Sequence, residues 1–168
     1  EITAHVLDVH GCKRVYCLTG MQGDPVAENR LSGVAEELRS RGLELSAEQV
    51  IYGDFWYTSG VSLADRIAGG ELARPDAVVC ACDYMALGLV RRLEEHGLRV
   101  PQDVVVTGFD VTHEGVMGDT SITSFYPDAP QAAARAVDII RGQIEPQLPL
   151  HTDEMRRVEH LHAGMSCG

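Results

Sequence analysis

The sequence predicts an α/β fold, a three-layer sandwich around a mostly parallel sheet, and three observations carry that expectation. Short apolar runs alternate with amphipathic stretches at close spacing, the pattern of strand-helix units. Residues 77–82 are apolar on both faces, as a central parallel strand must be. Glycines at Gly11, Gly42, Gly69-Gly70 and Gly97 stop each helical stretch where its apolar stripe ends.

Taken in order, residues 2–10 read as a helix with Ile2, Val6 and Val9 on one face, and residues 14–18 as an apolar strand. The next helix is the best signalled. Asp24 is placed to cap it, Pro25 suits its first position, and Ala27, Leu31, Val34 and Leu38 form its stripe. Residues 50–52 make a short strand, and a helix follows over residues 59–68. After the strand at 77–82, Asp83 is expected to cap a helix with the stripe Met85, Leu89 and Leu93. Residues 104–109 are the next strand. Residues 111–119 lack periodicity and read as a loop. A brief strand at 122–125, a helix at 129–142 with Ala133, Val137 and Ile140 inward, and a last strand at 158–162 complete the chain.

Composition narrows the function. The 168 residues are 45% hydrophobic and 23% charged, values of a folded domain and not of a disordered segment. No apolar run approaches the roughly 20 residues that a membrane helix needs, so no membrane partner is expected. The net charge of −11 is spread along the chain. Nucleic-acid binding requires a basic face that neutralises phosphates, so this chain by itself is not expected to bind DNA. Five cysteines without a disulfide pattern favour a reducing compartment, the cytoplasm. Cys80 and Cys82 form a C-x-C that reads as two buried small hydrophobes on one strand face. No further ligands stand at metal-site spacing, and neither a metal nor a cofactor is expected. Since the first residue is Glu1 and not Met, we expect a longer parent chain.

In an open parallel sheet, ligands bind beyond the carboxyl ends of the strands. That rule selects residues 19–24, 54–57, 82–83 and 110–113 as one rim. It carries the carboxylates Asp83 and Asp110, the cation Arg30 on the adjacent helix, and the aromatics Phe55 and Trp56. Carboxylates and a guanidinium hydrogen-bond several hydroxyls, and aromatic rings stack on a sugar or base. Each residue has a plainer alternative. Asp83 serves as a helix cap, Phe55 and Trp56 plug the domain edge, and Arg30 is an ordinary surface residue. Asp110 is harder to explain away, because it closes an apolar strand with no helix start beside it. An acid/base pair of Asp83 and Asp110 is the enzyme alternative. No nucleophile elbow, metal spacing or phosphate-cradling loop accompanies it, so binding ranks above catalysis.

Residues 74–110, RPDAVVCACDYMALGLVRRLEEHGLRVPQDVVVTGFD, resemble the effector domains of lactose/galactose-repressor (LacI/GalR) regulators. The matching pieces are Asp83, Ala86, Gly88, Gly97, Val100-Pro101, Asp103 and Gly108-Phe109-Asp110, without gaps. Upstream, Leu18-Thr19-Gly20, Asn29 to Gly33, Gly53-Asp54-Phe55 and Ser59-Gly60 follow in the family's order. The resemblance implies a type I periplasmic-binding-protein-like fold with a small effector, of sugar or nucleoside class, in a cleft between two lobes. Carried over by position, the ligand contacts are Arg30, Phe55, Cys82, Asp83 and Asp110; Trp56 and Tyr126 are expected to bind the ligand beside them. The family usually has Asn at Cys82, and a thiol cannot both donate and accept as an amide does.

The resemblance further implies that residues 1–120 form mainly the C-terminal lobe. Residues 121–145 would be a crossover strand and helix of the N-terminal lobe, and 146–168 a tail that returns. The helix at 129–142 would then lack its own sheet and expose apolar surface, met by homodimerisation or swapping. Operator DNA would be bound only through an N-terminal headpiece that this chain lacks. Alternatives are a different signalling output and an extracytoplasmic sugar-binding protein for uptake.

Overall fold

The computed structural model describes residues 1–110, 121–127, 129–144 and 159–168. Its elements are α1 (Ile2–Asp8), β1 (Val15–Thr19), α2 (Pro25–Ser40), a short 3-10 turn (Ala47–Gln49), β2 (Val50–Tyr52), α3 (Tyr57–Ala68), β3 (Ala77–Cys80) and α4 (Asp83–Glu95). They continue with β4 (Val105–Phe109), β5 (Thr123–Pro127), α5 (Ala129–Ile144) and β6 (Glu159–His162). One sheet holds all six strands in the order β2-β1-β3-β4-β5-β6. β1 to β5 run parallel, and β6 returns antiparallel along β5, pairing Phe125 with Leu161. Strand order reverses between β1 and β3, so the loops after those two strands diverge and leave a crevice at their carboxyl ends.

Local chemistry explains the helix boundaries. Asp24 Oδ1 accepts from the backbone N–H of Val26 and Ala27, both at 2.9 Å, and Pro25 occupies the first position, where no N–H is needed. At the other end Leu43 N donates to Leu38 O at 3.0 Å around Gly42, a residue in the left-handed region. The Val100-Pro101-Gln102-Asp103 motif is a turn lock: Asp103 accepts from Arg99 N at 2.8 Å and from the Arg99 guanidinium at 2.9 and 3.0 Å. These bonds hold the Asp103 carboxyl far below the usual carboxylate range.

Alternation along the strands sorts the core into two layers. Tyr16, Leu18, Val78, Cys80, Val104 and Val106 face α3 and α4, where Leu63, Met85, Leu89 and Leu93 are fully buried. Val15, Cys17, Ala77, Val79 and Val105 face α1 and α2, meeting Val6, Leu7, Val34 and Leu38. The chain's end is sewn into this sheet. Ser166 O accepts from Val106 N at 2.9 Å, and Ser166 Oγ accepts from Thr123 N at 2.9 Å. All five cysteines are free and buried. Among the described residues, Thr107 Oγ1 is the one buried side-chain oxygen without a partner.

Several expectations change. α1 stops at Asp8, and Val9 is exposed instead of lying on the inward face. α3 begins two residues earlier than Ser59, at Tyr57, and β3 ends at Cys80 instead of residue 82. Asp83 is not the cap of α4. Cys82 takes that position in extended backbone, and Asp83 is the first helical residue. The strand expected to cross to another lobe is hydrogen-bonded to β4 in this sheet, Thr107 pairing with Thr123 and Phe109 with Phe125. On α5, Ala133, Val137 and Ile140 do not face inward: Ala133 is exposed, and Val137 and Ile140 are 53% and 54% exposed. The loop expected at 111–119 lies outside the described residues. Among the described residues, no helix is long and apolar enough to cross a membrane.

Candidate functional site

Five parallel strands end along one edge, and Thr19, Tyr52, Cys80, Phe109 and Pro127 mark it. Arg30 reaches that edge from the second turn of α2. Its Nη2 donates to Asp110 Oδ1 at 3.0 Å and its Nη1 to the Ala81 carbonyl. Its guanidinium carbon stands 4.0 Å over the centre of the Phe109 ring. From the helix after β1 the cation therefore reaches across the crevice to the ends of β3 and β4, held by an ion pair, a carbonyl and an aromatic face at once. The pair stays open to solvent, with side-chain exposures of 24% for Arg30 and 43% for Asp110.

Asp110 is held in the left-handed region at φ 101°, while its N–H donates to Phe125 O at 2.9 Å. A non-glycine residue there costs on the order of 1–3 kcal/mol. The turn thus aims the carboxylate back over the strand end at Arg30. Among the described residues Phe55 is the other non-glycine residue in that region, at φ 67°. Its ring packs against Gly20, where a Cβ would stand only 2.1 and 2.2 Å from two ring carbons. The preceding carboxylate fixes the turn: Asp54 Oδ1 accepts from Trp56 N at 3.0 Å and from the Ser59 hydroxyl. The Ser59 hydroxyl first, then the Trp56 N–H, hold the Asp54 carboxyl below its usual value.

This turn sends Phe55 inward and Trp56 outward. Trp56 is 65% exposed, and its ring centre lies 6.4 Å from that of Tyr84. Cys82 lies beneath them, its thiol donating to Phe55 O at 3.3 Å, with burial raising its pKa above the ordinary thiol value. Asp83 is 1% exposed and accepts from Ser124 Oγ at 2.6 Å, so it braces α4 against β5 below the rim.

The expected site residues thus divide. Arg30, Asp110 and Trp56 present polar or aromatic surface at the rim. Phe55, Cys82 and Asp83 lie behind it, packed or hydrogen-bonded into the scaffold. Tyr126 is in β5, and its side chain lies outside the described residues. Sequence reasoning missed Tyr84, whose signal was its place one residue past the first rim carboxylate. A cavity of about 830 Å³ opens beside Arg30 on the α1/α2 face, lined by Thr3, Cys17, Val26, Val34 and Val79 among others. The buried Asp83 and the Arg30-bound Asp110 do not form a pair of free carboxylates for acid/base catalysis.

Comparison with known proteins agrees with this fold. The model of the periplasmic binding protein-like domain matches residues 4–167. The HTH-type transcriptional repressor PurR of Vibrio vulnificus is 28% identical over 160 residues, covering 95% of this chain and 46% of that protein. PurR of Vibrio atlanticus is 30% identical over 152 residues, 90% of this chain and 44% of the relative. The chain therefore spans less than half the length of these relatives. Among solved structures, the complex of the transcriptional regulator CelR with cellobiose is 30% identical with a TM-score of 0.76, covering 98% of this chain and 49% of that one. A regulatory protein of the LacI family from Chloroflexus aggregans, 20% identical over 99% of this chain and 59% of its own, shares the fold at a TM-score of 0.84. The chain belongs to the periplasmic binding protein-like domain family.

Proposed function

We propose that this chain is the larger part of one lobe of an effector-sensing domain, and that its parent protein is a transcription regulator. The observation that carries the reading is the Arg30–Asp110 pair, fixed at the strand-order switch and left accessible beside the exposed Trp56 and Tyr84. A guanidinium and a carboxylate supply donors and acceptors, while the aromatic pair supplies a stacking face. That combination suits a sugar or a nucleoside, polar at its edges and flatter on its faces. CelR, a relative of similar fold, is known with cellobiose. Phe55, Cys82 and Asp83 act as positioning residues behind the contact surface.

In this reading the effector fills a cleft whose other wall comes from the rest of the parent protein. Its closure changes the geometry of an attached DNA-binding headpiece, in a cytoplasmic homodimer. The lobe boundary falls after Pro127, so that α5 packs on the other lobe and covers Val137 and Ile140 there. The test is a thermal-shift panel of hexoses, cellobiose and nucleosides on the full-length protein, followed by operator binding with and without the hit. A ligand that raises the melting temperature and changes operator affinity supports the proposal. No shift across the panel, or a shift with unchanged operator binding, contradicts it.

A further inference from the structure

At the opposite end of the sheet, three ligand atoms from two segments far apart in sequence come together. His5 stands on α1, His10 just beyond its end, and Cys167 at the close of the tail sewn between β4 and β5. His5 Nε2 is 3.2 Å from His10 Nε2 and 3.3 Å from Cys167 Sγ, and the three ligand atoms lie within 4.8 Å of one another. Cys167 is buried and both histidines are partly buried.

Hydrogen bonding alone serves this arrangement poorly. A neutral ring nitrogen carries either one proton or one lone pair, so His5 Nε2 can satisfy one of the two atoms facing it, not both. A cation at the centre satisfies all three lone pairs together. The spacing fits as well. Bond lengths of about 2.0–2.1 Å to imidazole and about 2.3 Å to thiolate place ligand atoms of a tetrahedral zinc site about 3.3–3.6 Å apart. Two of the three edges are already close to that length.

The surroundings suit a metal. Thr123 Oγ1 lies 2.9 Å from Cys167 Sγ and accepts from the Gly164 N–H at 2.8 Å, and its hydroxyl proton, within 3.0 Å of the Gly164 carbonyl, turns to the sulfur when Cys167 is a thiolate. That hydroxyl is the orienting outer contact that ligating groups usually have. A surface cleft of about 480 Å³, lined in part by His10, Cys12, Asp76, Asp103 and Cys167, gives an entry path.

We propose that His5, His10 and Cys167 form a Zn²⁺ site that bolts α1 to the C-terminal tail, with solvent completing a four-coordinate sphere. One thiolate with two imidazoles is a borderline-soft set, suited to zinc and not to magnesium or calcium.

The test titrates the purified, metal-free protein with Co²⁺, then with Zn²⁺ against a chromogenic chelator. Expected are one Co²⁺ per chain with a thiolate-to-cobalt charge-transfer band, displacement of that band by Zn²⁺, and a higher melting temperature with zinc. Cys167→Ser abolishes the band. His10→Gln, at a partly exposed position outside the helix, weakens zinc binding about 100-fold or more while leaving circular dichroism unchanged. Absence of a thiolate band overturns the proposal. So does a band that survives Cys167→Ser but is lost in Cys12→Ser, or zinc binding that His10→Gln leaves unchanged. If Cys167→Ser does not fold, His10→Gln decides alone.

Discussion

The two faces of the sheet are built by different rules. On the α3/α4 face the helices cross at Gly60 and Gly88. A Cβ on Gly60 would overlap the Met85 carbonyl oxygen, and one on Gly88 the Tyr57 carbonyl oxygen, so backbone lies on backbone. Beneath that contact Met85, Leu89, Val90 and Leu93 have no exposed surface. The α1/α2 face is looser. It holds the 830 Å³ cavity, Arg30, and the His5–His10–Cys167 cluster. The difference teaches where chemistry has room: one face fixes the strand ends, and the other carries groups that a ligand or an ion can reach.

The largest effect is expected at the helix crossing. Gly88→Val drives two methyl groups into the α3 backbone, where neither side can yield. We expect about 3 kcal/mol or more of destabilisation, read as loss of the cooperative thermal transition. A variant that melts like the parent would show that the crossing is loose. Next, Leu89→Ala empties a fully enclosed volume on the same face and is expected to cost about 2–5 kcal/mol in a urea melt.

A smaller effect sits at the amino ends of the strands. Asp76 Oδ2 accepts from Lys13 N at 2.9 Å and Arg14 N at 2.8 Å, tying β3's start to β1's. The Arg14 N–H, the largest contribution, and the Lys13 N–H hold its pKa below the ordinary 3.8 against the opposing effect of burial. Because the folded value is the depressed one, the stabilisation is complete above 3.8 and fades as pH falls through the folded value. The stability curves of parent and Asp76→Asn should therefore lie apart at neutral pH and draw together in acid. Parallel curves would contradict the assignment. The smallest effect on stability is expected from Arg30→Ala, under about 1 kcal/mol, because the Arg30–Asp110 pair is solvent-screened.

Much of the scaffold was legible because its signals are local. Asp24, Pro25 and Gly42 mark α2 within a few residues of its ends, and the stripe Met85, Leu89, Leu93 lies in the core as its spacing requires. The site was legible in membership but not in roles. Asp83 has the look of a cap, yet Cys82 adopts the extended cap backbone, and Asp83 turns to Ser124, 41 residues away. Nothing in the spacing of Arg30 and Asp110 says that they touch across 80 residues. His5 and Cys167 are 162 residues apart, so no motif could join them. α5 shows the converse. Its periodicity places an apolar stripe inward, while the family resemblance leaves that stripe without a sheet and exposed, and Val137 and Ile140 lie exposed here.

The central claim is that the accessible Arg30–Asp110 pair binds the polar edge of the effector while Phe55, Cys82 and Asp83 support the contact surface from behind. Isothermal titration of the full-length protein with the ligand found by thermal shift, parent against Arg30→Ala, tests it most directly. About a 30-fold or greater loss of affinity is expected, from a charge-assisted hydrogen bond worth about 2 kcal/mol or more, with the unliganded melting temperature little changed. Equal affinity in the two proteins would contradict it.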